Sequence, residues 1–338
     1  MDVTRTAPVA LNLTDRKLRK PQSTVEILKS LAGTCLKVSV GYVLFLATLT
    51  GIHYPYQVDQ ATPEKAPAFT QSYYADVYAG DQAKADSQEP LTAAESKYVQ
   101  MAKIGIEAER IVPRVTEFAQ KYGLRDKRVL DIGAGTGYLQ DVVPNYVGLD
   151  ISPSARRFFH KPFVAASATS MPFRDNEFDA AWSVWVLEHV PKPEQALSEI
   201  RRVVKDGGIL FLKPTFACPW WLAQGYEVRP YSDFGVAGKL KKASLNVLAS
   251  PYYRGASLMP IRWVRQKQTE WAGTPSRLRY TLLKPNYKEY WVADSDAINN
   301  LDYYEMLLWF TTRGDECLNC EAEPIWDANE LVIRVRKR

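Results

Sequence analysis

Two acids and three glycines set the first chemical expectation. In Val129-Leu-Asp-Ile-Gly-Ala-Gly-Thr-Gly-Tyr138 an apolar run enters Gly133, Gly135 and Gly137, and Asp131 stands two residues ahead of the first glycine. Glycines let a chain turn sharply and let a ligand approach its backbone. A helix expected after the loop would offer unpaired N–H groups at its start. A dinucleotide loop needs G-x-G-x-x-G, but its third glycine would fall on Tyr138, and the spacing here is G-x-G-x-G. Asp131 would repel a pyrophosphate and suits a ligand end carrying an ammonium group. Asp150 closes the next apolar run, Tyr146-Val-Gly-Leu-Asp150, where a carboxylate can accept both hydroxyls of a ribose. His189, one of three histidines with His53 and His160, is the candidate general base.

These residues need elements to hold them. Strand patterns fall at 128–133, 146–150, 163–166, 178–185 and 208–214, with a helix at about 192–204. This alternation implies a parallel sheet covered by helices. Residues 93–122 read as helical, divided or kinked by Pro113 and stopped by Gly123. Regularity returns with a helix near 300–313, stopped by Gly314, and a strand at 330–337. In such sheets sites form at the carboxyl ends of strands, which places Ser183, Trp185, Glu188 and His189 together.

D-x-G-x-G-x-G followed by a strand ending in Asp resembles the class I methyltransferases, and 167–190 and Lys205-Asp-Gly-Gly208 resemble their type 11 subgroup. The resemblance covers 128–214 and the helix and strand after 296. It implies an α/β, Rossmann-like, seven-stranded, mostly parallel sheet with an antiparallel last strand and helices on both faces. It also implies S-adenosyl-L-methionine as cofactor. Asp131, Gly133, Ala134, Gly135 and Gly137 would hold its methionine part, and Asp150, with Ile151 beside it, the ribose. Ser167 and Ala168 would lie at the adenine, and Ser183 and Trp185 near the transferred methyl group. The family commonly has an acid at Ser167, a departure that leaves the adenine contact to backbone amides of Ala168 or Thr169. Met171 and Phe173 line the ring or fill core. Ubiquinone-type O-methyltransferases place a metal on two glutamates and a histidine in this segment. Glu188 and His189 match, but Trp185 takes the other glutamate position, so no metal is expected. The Asn/Asp-Pro-Pro-Tyr signature of nucleobase amino methyltransferases is absent, which disfavours nucleic acid as a partner.

The remaining segments suggest five divisions. Residues 1–56 form a basic N-terminus and a membrane-prone segment, 57–92 a linker, 93–214 the cofactor-binding core, 215–295 a basic aromatic insert acting as substrate lid, and 296–338 the returning helix and strands. The uncharged stretch 38–52 has 15 residues, where a span needs about 20. A single anchor, an interfacial helix, and a buried helix or cleaved targeting segment are the three readings. The side on which the catalytic part lies stays open, and the chain is cytoplasmic if the segment does not cross. Residues 215–290 carry 12 Lys and Arg against four acids, whereas the whole chain has a net charge of only +5. With the interleaved tryptophans and tyrosines, this fits an anionic lipid surface, an acidic glycan or single-stranded nucleic acid, or a lid with a solvated charged face. Asp294 and Asp296 either face the cleft or cap the next helix. Cys317 and Cys320 form a CxxC with no second pair to complete a zinc site, and two ordinary thiols are expected.

The expected function is methyl transfer to a small-molecule, lipid-linked or glycan acceptor, on oxygen, in association with a membrane. The alternatives are a non-catalytic cofactor-binding membrane scaffold and an RNA or protein methyltransferase.

Overall fold

The computed structural model describes residues 23–53, 57–58, 68–79, 97–287, 290–320 and 329–337. The basic residues before 23 and most of the expected linker lie outside them. Strand β1 (Gln57–Val58) pairs antiparallel with β7 (Arg279–Tyr280) as a separate ribbon. The central sheet comprises β2 (Val129–Ile132), β3 (Tyr146–Asp150), β4 (Phe163–Ala165), β5 (Phe178–Val184), β6 (Val204–Lys213), β8 (Glu316–Cys317) and β9 (Leu331–Arg334). Their order is β4-β3-β2-β5-β6-β9-β8. The first five run parallel, and β9 is antiparallel to both its neighbours. This is the Rossmann-like mixed sheet that the strand–helix alternation predicts.

Both faces of the sheet are buried, which is why its central strands read as nearly continuous apolar runs. On one face α4 (Ile111–Lys121) presents Ile111, Val115, Phe118 and Ala119 at helical spacing to Val129, Trp182 and Phe211. On the other, α5 (Pro193–Val203) buries Ala196, Leu197, Ile200 and Val203, joined by Met306, Trp309 and Phe310 of α9 (Tyr303–Thr311). Each fully buried large side chain contributes about 1.5–3 kcal/mol, so the two faces hold the sheet from opposite sides.

The helical stretch expected at 93–122 is two helices, α3 (Lys97–Ala108) and α4. The break is at Arg110, in left-handed backbone with φ 53°, and not at Pro113. Pro113 sits in the first turn of α4, where its missing N–H costs no hydrogen bond. The helix expected directly after the glycine loop is absent: residues 138–145 form turns. Only those eight residues, Pro144 among them, separate Gly137 from β3, and Leu139 and Val143 are buried from turns.

Helix α1 (Thr24–His53) is 30 residues long, about 45 Å at helical rise, and starts well before residue 38. Ser23 and Glu26 make a reciprocal capping box, with Glu26 N donating to Ser23 Oγ at 3.3 Å and Ser23 N to Glu26 Oε2 at 3.1 Å. Its Thr24–Phe45 portion, 22 residues, is long and apolar enough to cross a membrane, and none of it is buried. Helix α2 (Ala68–Ala79) occupies part of the expected linker. After β6 come a short α6 (Trp220–Ala223), α7 (Val236–Leu248) and α8 (Pro251–Ala272). Helix α1 contacts α8. Cys317 and Cys320 are joined as a disulfide, contrary to the expectation of two thiols, because the turn after β8 brings their Cα atoms to 5.8 Å.

Candidate functional site

A cleft opens at the carboxyl ends of β2, β3, β4 and β5, the position at which open α/β sheets bind ligands. Its wall holds seven of the residues singled out in the sequence: Gly133, Asp150, Ile151, Ser167, Ala168, Trp185 and His189. Asp131, Ala134, Gly135, Gly137 and Ser183 lie outside that lining.

The loop between β2 and β3 explains part of this division. Gly133, Gly135 and Gly137 all adopt left-handed backbone, at φ 72°, 51° and 73°. A Cβ on Gly133 would stand 2.1 Å from Val186 Cγ2, so the protein's own post-β5 loop requires a glycine there. Gly135 N donates to Asp150 Oδ2 at 3.0 Å, and Ser152 N to Asp150 Oδ1 at 2.9 Å. These bonds fix the carboxylate at the strand end. Burial pushes the Asp150 carboxyl up to about 6, against the pull of the same amide donors. Asp131 is buried and accepts the Tyr146 hydroxyl at 2.7 Å. Burial pushes it up to about 7, with the Tyr146 hydrogen bond acting the other way. Ser167 Oγ lies 2.8 Å from Thr169 Oγ1, which keeps the 167–169 turn folded along the cleft.

The loop after β5 forms the opposite wall. Trp185 holds left-handed backbone at φ 54°, a conformation that stores strain in a bulky residue. Its indole packs onto α3, 3.3 Å from the position a Cβ on Gly105 would take. Glu188 is fully buried, and Thr215 N donates to its Oε1 at 2.8 Å. Among the described residues, its Oε2 has no hydrogen-bond partner, nor has His189 Nδ1. His189 Nδ1 lies 3.6 Å from Asp296 Oδ2. Burial lowers the pKa of the His189 imidazole, but Asp296, Glu188 and Asp294 outweigh it, so the net shift is upward. Glu188 goes up to about 7, driven by burial and opposed by His189.

The contacts that support this wall were left open by the sequence or not foreseen in it. Asp296 faces the site and does not cap α9; Asp302 does, its Oδ1 accepting from Tyr304 N at 2.9 Å and Glu305 N at 3.3 Å. Asn299 Nδ2 donates to Leu187 O and Val190 O, both at 2.9 Å, and Ile298 N and Asn299 N donate to Glu188 O. Residues 298 and 299 thus pin the histidine loop, a contact that nothing in sequence spacing indicates. Glu188, His189 and Asp294 bring one ligand atom each to within 4.8 Å of one another, a set that could hold a small cation. The sequence argued against a metal because Trp185 offers no ligand; Asp294, from a distant segment, is placed where it could offer one.

Tyr74, Tyr78 and Tyr98, from α2 and α3, cover the cleft. Burial pushes all three hydroxyls well above their usual range, so they remain neutral donors. The Tyr78 hydroxyl stands 3.1 Å from where a Cβ on Gly135 would be. Tyr74 and Tyr78 are spaced i, i+4, one face of a helix, which was the available clue within the stretch read as linker.

Residues 130–212 match the family described as methyltransferase domain. The chain is 30% identical over 180 residues to an uncharacterized methyltransferase of Mycobacteroides abscessus, covering 46% of this chain and 68% of that protein. The chain belongs to the class I S-adenosylmethionine-dependent methyltransferases. A demethylmenaquinone methyltransferase of Renibacterium salmoninarum is 41% identical over 103 residues, 27% of this chain and under half, 44%, of that protein. An S-adenosylmethionine-dependent methyltransferase structure from Thermotoga maritima aligns over 72% of this chain and 97% of its own, at 16% identity and a TM-score of 0.38. The cleft lies outside the strand ends at the reversal of strand order between β2 and β5, where open α/β sheets bind ligands.

Proposed function

We propose that this methyltransferase transfers a methyl group from S-adenosyl-L-methionine to an oxygen of a small-molecule, lipid-linked or glycan acceptor, in association with a membrane. The observation that carries this reading is the single cleft with Asp150 on one wall and His189 on the other. The residues present fit the cofactor: a buried carboxylate fixed by two amides at the end of β3, the 167–169 turn beside it, and tyrosine faces above. Asp150 would hold the ribose, and the backbone around Ser167 and Ala168 the adenine. The bound cofactor supplies an electrophilic methyl group on a sulfonium.

The protein's own part is positioning and proton handling. Enclosure under the α2 tyrosines holds the reactants together, and proximity supplies much of the rate. His189, with Asp296 beside Nδ1, takes the acceptor's hydroxyl proton, and the three surrounding acids stabilise the imidazolium that results. The apolar, exposed Thr24–Phe45 stretch supports the membrane association. The basic insert supports an anionic lipid partner less than its composition suggests, since Arg262 pairs with Asp302, Arg265 with Glu305 and Arg277 with Glu194.

The test is incubation of membrane extracts with isotopically labelled cofactor and identification of the labelled product. Wild type should label a species that His189→Gln labels far more slowly. Label in protein or RNA only would refute the acceptor class. The tyrosines over the glycine loop favour one second reading, a module that does not take the cofactor. Calorimetry showing no S-adenosylmethionine binding would establish that instead.

A further inference from the structure

Helix α7 presents an apolar stripe to the outside of the molecule. Val236, Leu240 and Val247 are 79%, 68% and 62% exposed, and with exposed Ala243 they recur at i, i+4, i+7 and i+11, one face of a helix. The opposite face, with Gly238, Lys242, Leu245 and Leu248, is half-buried against the protein. Helix α8 repeats the arrangement: Tyr252, Met259 and Trp263 share one outward face, at 89%, 38% and 63% exposure. Its inner face is held by Arg262 and Arg265 on Asp302 and Glu305. A soluble surface helix has its apolar stripe inside, so these two outward stripes need a partner.

We propose that the outward faces of α7 and α8 lie in the headgroup layer of an anionic bilayer, beside the membrane-crossing portion of α1. Charge selects lipid over protein. From Phe234 to Thr269 the chain has no acid and seven cations, of which Arg262 and Arg265 face inward onto Asp302 and Glu305 and Lys267 pairs with Glu270. Lys239 and Lys241 stand exposed on the two sides of the α7 stripe, the pattern of a helix lying in an interface. Exposed Tyr252, Trp263 and Trp271 are the residue types that settle at headgroup level. Continuity selects the same bilayer that α1 would enter, because α1 contacts α8 and α8 contacts α7. The proposal rests on the membrane reading of α1, but not on methyl transfer.

The test uses the full chain reconstituted into phosphatidylcholine vesicles with and without phosphatidylserine. In a Cys35→Ser background, Leu240→Cys carries an environment-sensitive fluorophore, and Asp126→Cys, on the exposed far side of the core, serves as reference. Nitroxide lipids should quench the probe at 240 severalfold more than at 126, with a blue-shifted emission, more so with phosphatidylserine. Lys239→Glu with Lys241→Glu should remove that phosphatidylserine dependence, about fivefold per lysine. Equal quenching at both positions in vesicle-bound protein would overturn the proposal while leaving α1 as an anchor. Disulfide-linked dimers formed by unlabelled Leu240→Cys, with no lipid quenching of the labelled protein, would overturn it in favour of a second copy. Failure of the chain to float with vesicles would overturn it together with the reading of α1. Binding of S-adenosylmethionine, measured on the same samples, reports separately on the catalytic reading.

Discussion

The hydroxyl of Tyr74 donates to Asp296 Oδ2 at 2.9 Å, joining residues 222 positions apart in the chain. This bond fastens the helix over the cleft to the segment that pins the histidine loop, and both partners are buried. Tyr74→Phe should therefore loosen the cover. A lost buried hydrogen bond costs about 1–3 kcal/mol. Amide exchange across 68–79 should quicken while that of the central strands falls only with global stability. Unchanged exchange in α2 would show that the bond does not hold the helix.

Asp150 should govern cofactor affinity. Asp150→Asn keeps the shape but loses charge-assisted hydrogen bonds, so calorimetry should show S-adenosylmethionine binding about 10- to 100-fold weaker. Because the folded carboxyl is pushed up to about 6, affinity in the wild type should fall as pH drops below that value and the carboxylate takes a proton. The Asn variant should lack this dependence.

Asp131 makes a stability prediction with a definite sign. Its folded pKa of about 7 lies above the ordinary 3.8, so between those values the folded state binds more protons than the unfolded state. Stability then falls as pH rises through that window, by up to about 1.4 kcal/mol per pH unit for one such group. Asp131→Asn, whose amide oxygen can still accept from Tyr146, should flatten the dependence and be the more stable protein at neutral pH. Urea midpoints measured from pH 4 to 8 would show it.

The Arg265–Glu305 pair is almost fully buried, and Arg265 Nη2 donates to Glu305 Oε2 at 3.0 Å and to Ser276 Oγ at 3.0 Å. Arg265→Met should cost about 3–5 kcal/mol by leaving a buried carboxylate unpaired, whereas Arg265→Met with Glu305→Leu should recover most of it. Chemical denaturation of the three proteins tests the coupling, and equal loss in single and double variants would deny it.

Local chemistry was enough to identify the glycine turn, the carboxylate ending β3, the strand order leading to His189 and the family, because each depends on residues within a few positions of one another. Backbone reach and apolar alternation act over that range. The same local reasoning placed a helix after the glycine loop and a linker over α2, since it could not weigh how little chain separates Gly137 from β3 or what the tyrosine face would pack on. That Asp131 accepts from Tyr146, that Asp296 faces His189 and does not cap a helix, and which arginines of the insert are already paired were decided only in three dimensions. Each is a contact between segments far apart in sequence, settled by competition for burial and for hydrogen-bond partners once the sheet has formed.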